Sequence, residues 1–213
     1  MRRSGGIAWA ALLALVLAGC ATINPEWPRA VSGRVTDEAG RPVPNNPVVV
    51  VARTATFDPM RFAYNTAGRQ EARATTDADG RYRIDFAPAN LGNNFFLFFY
   101  DRVGFDRVKY KTPLPQDITE MVERERAPMV NQVLEFTVTW PEVQRQIAFY
   151  GAETDRGRIL RTHGLPEKRE QPAGAPDQDV WWYSGDGVSY RFSGNTLTNT
   201  TRFTPGTQGA LFR

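Results

Sequence analysis

The sequence predicts a mainly β chain, an antiparallel β-sandwich followed by a small α+β unit. In the second unit, a helix or two would pack on a three-stranded antiparallel sheet. Three observations predict this. From Val31 to Phe86 short alternating runs are separated by turn signals. No long helical period precedes Pro141. Beyond Pro141, a capped helical stretch is followed by three alternating runs joined by glycine turns. Short strands with frequent turns form sandwiches, and helices gathered on one side of a sheet form α+β units.

The first 19 residues predict a targeting segment outside the fold. Arg2 and Arg3 give a charged start, and Ile7 to Leu17 is apolar but shorter than the ~20 residues that span a bilayer. Leu17-Ala18-Gly19-Cys20 then resembles the bacterial lipobox, which implies cleavage before Cys20 and acylation of its thiol. The alternative is an ordinary signal peptide with a chance cysteine. Cys20 is the chain's only cysteine, so an intramolecular disulfide is ruled out. Ala21 stands where an Asp would retain such a protein in the inner membrane, which favours the outer membrane. Residues 20–29, with Pro25 and Pro28, read as a lipidated tether.

The sandwich is expected over 30–140. Val31, Gly33 and Val35 alternate with polar residues, the period of a half-buried strand. Asp37 to Gly40 breaks the strand with a turn. Val48 to Val51 is a β-branched run suited to a strand covered on both faces. A long loop is expected over Thr54 to Gln70. Asp77-Ala78-Asp79-Gly80 reads as a turn, and Tyr82, Ile84 and Phe86 then alternate with Arg81, Arg83 and Asp85. Phe95 to Tyr100 reads as the central strand, apolar on both faces, with a ligand groove as the alternative. Asp101 to Pro115 predicts one more strand and a loop. Asp117 and Glu120 have capping-box spacing, predicting a short helix to Arg126. Val133 to Trp140 alternates and is expected to close the sandwich.

The second unit is expected over 141–204. Pro141 suits a first helical turn, although Arg145 to Tyr150 could equally be strand. Thr154 and Asp155 mark a helix start, and Gly164 with Pro166 marks its end near His163, with Ile159 and Leu160 turned inward. Strands follow at Asp177–Tyr183, Val188–Phe192 and Thr196–Phe203. Residues 205–213 are expected to form a frayed, disordered tail.

Two family resemblances accompany this pattern. G-R-V-T-D-E-A-G-R-P-V, the Val run and T-T-D-A-D-G-R-Y-R-I together resemble the carboxypeptidase regulatory-like, or transthyretin-like, domain. That implies a sandwich acting as a module rather than a catalyst. T-D-R-G-R-I-L-R-T-H-G-L-P, W-W-Y, V-S-Y-R-F and S-G-N-T-L resemble the BamE (SmpA/OmlA) family of outer-membrane lipoproteins. His163 departs from that family's pattern of an apolar residue before the glycine. The resemblance implies a non-enzymatic scaffold for barrel insertion in the envelope.

Composition and motifs narrow the chemistry. The formal charge of +3 falls to +1 once Arg2 and Arg3 leave, which argues against nucleic acid as a partner. Asp77-x-Asp79-Gly80 lacks the further ligands of a calcium loop. His163 is the only histidine, which excludes multi-histidine zinc sites. No metal, cofactor or catalytic residue is expected. Asp177, Asp179, Glu167 and Glu170 are expected as solvated surface carboxylates.

Trp181, Trp182 and Tyr183 carry the functional expectation, with Tyr190 and Arg191 beside them. Consecutive strand residues point to opposite faces, so one tryptophan must leave the helix-covered side. Either the sandwich packs against it, or it forms a platform for envelope proteins, since aromatics and Arg are enriched at interfaces. An exposed aromatic row would also stack on sugar rings, so a carbohydrate- or peptidoglycan-binding lipoprotein is the alternative. The expected setting is the periplasmic side of the outer membrane.

Overall fold

The computed structural model describes residues 29–87 and 93–204. The targeting segment, Leu17 to Cys20, most of the tether and the 205–213 tail lie outside the described residues.

The first unit is a sandwich of two sheets. One holds β4 (Arg81–Phe86), β1 (Arg29–Asp37) and β7 (Gln132–Leu134) in that order. The other holds β3 (Ala63–Thr75), β2 (Pro47–Asp58), β5 (Asn94–Phe98) and β6 (Gln116–Asp117). Pairing is antiparallel except between β1 and β7, which run parallel. Val31, Val35, Tyr82 and Ile84 from one sheet meet Val48, Val50, Leu97 and Phe99 from the other in one core. The Val run is buried on both faces, because Val49 and Val51 lie beside Phe98 and Phe96 in register. Asp77 Oδ1 accepts hydrogen bonds from the backbone of Asp79 and Arg81, so the carboxylate closes a hairpin turn.

Several expectations are corrected in this unit. Thr54 to Gln70 is no loop: β2 and β3 stay paired as far as Asp58 and Ala63, leaving only Pro59 to Phe62 as the turn. Asp101 to Pro115 forms turns, with one isolated bridge from Tyr110 to Phe136, because too few residues alternate to sustain a ladder. The short helix α1 spans Thr119–Arg124, with Ile118 rather than Asp117 at its cap. The Asp117 carboxylate accepts from the Thr119 N–H at 2.9 Å, which turns the chain before the helix starts. β5 buries Phe95 and Leu97 while Phe96 and Phe98 are half-buried, so it is apolar on both faces but covered fully on one. The Val133–Trp140 run contributes only two residues to β7 and the Phe136 bridge, and Trp140 already belongs to the next helix.

Gly33 explains why β7 can approach β1 at all. A Cβ there would lie 1.8 Å from the Val130 carbonyl oxygen. The bare backbone admits the crossing segment, and Val130 N–H donates back to Ser32 at 2.8 Å.

The second unit contains α2 (Trp140–Tyr150), α3 (Asp155–His163) and a four-stranded sheet. The sheet order is β11 (Thr196–Arg202), β10 (Val188–Ser193), β9 (Gln178–Tyr183) and β8 (Lys168–Glu170). Arg145 to Tyr150 is helix, with Pro141 in the first turn of α2. The three expected strands are present, and β8 adds a short fourth at the edge. Val108, from the turn region before β6, packs into this unit's core.

Candidate functional site

The inner face of the C-terminal sheet is built around a cation. Thr154 caps α3, its hydroxyl accepting from Gly157 N–H at 3.1 Å. The first turn then starts close against the end of α2, and a Cβ on Gly157 would lie 2.1 Å from the Gly151 carbonyl. This approach places Arg156 over the sheet. Its Nη1 donates to Asp179 Oδ2 at 2.7 Å and its Nε donates to the Gly194 carbonyl at 2.7 Å. The guanidinium lies over the rings of Phe192, Trp181 and Tyr150, 4.5, 4.9 and 5.0 Å from their centroids. Asp179 is thus no solvated surface carboxylate: it also accepts from Trp181 Nε1 at 2.7 Å.

Register separates the two tryptophans. Trp181 is fully buried under the helices, with Tyr183 and Phe192. Trp182 stands on the opposite, outer face. Its neighbours in register there are Ser189 on β10 and Lys168 on β8. Trp182 Nε1 donates to Glu170 Oε2 at 2.9 Å, and its ring lies 5.7 Å from that of Phe203. Glu170, Val180, Trp182, Ser189, Arg191 and Thr201 line a groove of about 470 Å³ on this face. The hydrogen bond from Lys168, ahead of that from Trp182, holds the Glu170 carboxyl below the usual carboxylate range. The groove therefore offers a half-covered indole, a fixed anion and the exposed Arg191 cation.

Of the five residues expected to meet a partner, only Trp182 and Arg191 share this outer face. Trp181 and Tyr183 face the helices, where burial pushes the Tyr183 phenol up. The Tyr183 hydroxyl donates to the Gly164 carbonyl at 3.0 Å. Tyr190 also faces inward, in register with Trp181. Its hydroxyl lies 2.9 Å from His163 Nε2, and His163 Nδ1 lies 2.6 Å from Asp186 Oδ2. The ring thus bridges the Asp186 carboxylate and the Tyr190 hydroxyl. Burial raises the Tyr190 pKa, so its oxygen stays protonated and acts as a polar tie between α3 and β10. Glu170 belongs to β8 rather than a loop. Glu167 accepts from Gly185 N–H at 2.9 Å.

Sequence reasoning missed Arg156 and its partner. A signal existed for Asp179, which the period of two places on the same face as Trp181 and Tyr183. Arg156 gave none, since an arginine in a first helical turn reads as solvent-facing.

No family model matches the chain, and no curated protein matches it either. Solved structures give low scores. A 9R-lipoxygenase from Cyanothece aligns with 11% identity and a TM-score of 0.35, over 95% of this chain and 47% of that one. The chain thus spans about half the length of that enzyme. The C-terminal domain of the shaft pilin SpaA from Lactobacillus rhamnosus aligns with 7% identity and a TM-score of 0.29, over 52% of this chain and 98% of that one. A dioxygenase domain from a Streptomyces dioxygenase–carbohydrate-binding fusion aligns with 15% identity and a TM-score of 0.26, over 55% and 86%. At these scores neither fold nor activity is carried across.

Proposed function

We propose that the chain is a lipid-anchored cell-envelope protein that works by binding other envelope proteins rather than by catalysis. Acylated Cys20 holds it to the membrane, in the periplasmic leaflet of an outer membrane. The sandwich acts as a spacer, and the outer face of the C-terminal sheet carries the contact surface. The observation behind the anchor is the single cysteine closing Leu17-Ala18-Gly19-Cys20 directly after an apolar run. The resemblance of the second unit to the BamE family makes outer-membrane protein assembly or envelope integrity the favoured process. The contact surface is inferred from Trp182 and Arg191, side by side with Glu170 over one groove. Multiple acyl chains at about 0.8 kcal/mol per buried CH₂ give a firm anchor.

A second reading rests on the same indole. Trp182 flanked by Glu170 and Arg191 offers a stacking face with hydrogen-bonding groups at its rim, a combination suited to a glycan or peptidoglycan strand. Retention of the chain on glycan matrices, lost in W182A, would favour it over protein binding.

The anchor is tested by metabolic labelling with an alkyne fatty acid, comparing the native chain with Cys20→Ala. Label and membrane recovery in the native chain, both lost in the variant, are expected. An unlabelled native chain recovered in the soluble periplasmic fraction would overturn the reading.

A further inference from the structure

The β2–β3 hairpin continues past the sheet that holds it. Pairing of β2 with β5 ends at Arg53 and Asn94, whereas pairing with β3 runs on to Asp58 and Ala63. At about 3.3 Å per residue, the hairpin projects roughly 17 Å beyond its neighbour strand. A solvent-facing turn is ordinarily polar. This one presents Phe57, Met60 and Phe62, at 44%, 94% and 88% exposure. The two phenyl rings meet edge to face at 5.7 Å. Phe62 holds a φ of 52°, a left-handed conformation costly for a bulky residue, while its ring remains in solvent. Asp58 Oδ1 accepts from Met60 N–H at 2.9 Å and fixes the turn. Arg61, 78% exposed and 3.9 Å from the Asp58 carboxylate, adds a cation at the same tip.

The position of the tip relative to the chain's entry decides what it meets. β1 begins at Arg29, in register with Phe86. The Phe86 ring lies 5.8 Å from that of Phe95, and Phe95 is in register with Ala52, next to the start of the projection. The first residue of β1 and the hairpin tip therefore share one end of the sandwich. The far end of β1 leads to Glu38, whose carboxylate accepts from Phe136 N–H at 3.2 Å just before α2 and the C-terminal unit. The stretch from Cys20 to Arg29 reaches about 30 Å even fully extended. A lipid on Cys20 would keep the tip end facing the bilayer and the C-terminal unit turned away from it.

We propose that the Phe57–Phe62 hairpin tip is a membrane-contact element that dips into the lipid surface carrying the anchor. The proposal rests on the acylation of Cys20. Met60 and the phenyl rings enter the boundary between headgroups and acyl chains, and Arg61 meets lipid phosphate. Such mixed apolar and basic surfaces seat about 5–10 Å deep. Two points of attachment, lipid and tip, fix the orientation of the sandwich and hold the Trp182 face in the periplasm.

The test uses the full acylated chain in vesicles of phosphatidylethanolamine and phosphatidylglycerol. Cys20 is the only cysteine, so once its sulfur carries lipid, Met60→Cys supplies the free thiol for an environment-sensitive NBD probe. Val103→Cys, 82% exposed beside Gly104 and Pro47 at the other end of β2, supplies the control. The expected result is blue-shifted emission from position 60, quenched by nitroxide-bearing lipid and not by aqueous iodide, with position 103 behaving oppositely. Adding Phe62→Ser should return the probe at 60 towards water. Iodide quenching at both positions, on a chain whose mass shows the acyl groups, would overturn the tip proposal alone. A chain without acyl mass would overturn the anchor and this proposal with it. A probe at 60 shielded from both quenchers in native envelopes would assign the tip to a protein pocket, and the bilayer assignment would fall.

Discussion

Arg156 Nη1 donates to Asp179 Oδ2 at 2.7 Å, joining the first turn of α3 to β9 with side chains only 7% and 18% exposed. The pair lies on the sheet face that the helices cover, the face of Trp181. Asp179 also holds Trp181 Nε1, and Arg156 lies over the Trp181 ring, so the inner face is fixed by one network. Trp182 is left to the outside by the pleat alone.

Removing the cation should leave the Asp179 carboxylate without its principal partner. Arg156→Met is expected to cost about 3 kcal/mol or more in urea unfolding. In R156M/D179N the amide can still accept from Trp181 while the charge is gone. The double variant should therefore recover part of the loss, with a coupling of about 1–3 kcal/mol in the cycle. Strict additivity would show that the pair does not act as a unit.

Gly33→Ala puts a methyl group on the Val130 carbonyl, where the ideal Cβ would sit at 1.8 Å. A backbone oxygen cannot rotate away, so the segment crossing β1 must shift. The expected cost is about 2–3 kcal/mol, at the upper part of the range for overpacking. Amide hydrogen exchange should localise the damage to Pro128–Leu134. Unchanged protection there would contradict the close approach.

Three carboxylates in the C-terminal unit set its response to acid. Asp155 is held below the usual range by Leu197 N–H and then Arg158, Glu167 by the Ser184 side chain and Gly185 N–H, and Glu170 by Lys168. A folded pKa below the unfolded one means the unfolded chain binds more protons. The stabilisation is therefore complete above the unfolded carboxylate values, about 4, and is lost as pH falls through the depressed ones. The urea midpoint should stay level from pH 7 to about 5 and fall below about 4. Glu170→Gln should flatten part of that fall. An identical acid profile in the variant would remove Glu170 from the account.

Much of this was legible in the chain. Alternation in R-Y-R-I-D-F gave a strand with a defined inner face, V-S-Y-R-F gave a strand whose inner face was not assigned, and Thr154 and Gly164 bracketed α3 closely. The separation of Trp181 from Trp182 followed from the pleat, but its direction did not. It depends on which face α2 and α3 cover, and there a buried arginine that local pattern treats as surface joins Trp181. The Thr54–Gln70 hairpin was hidden because its polar and apolar residues are mixed, so the pairing of β2 with β3 rather than periodicity makes it strand. β8 is too short to show a period, and Val133–Trp140 alternates without a partner strand long enough to use it.

The central claim is that the outer face of the C-terminal sheet meets an envelope partner, and in-cell photo-crosslinking tests it most directly. A benzoylphenylalanine is placed at position 182, at 191 and at 181, and the adducts are identified by mass spectrometry. Trp182 lies over the open groove whereas Trp181 is fully buried. The account predicts envelope-protein adducts from 182 and 191 and none from 181. Silence from 182 and 191 in a chain correctly anchored in the membrane would contradict it.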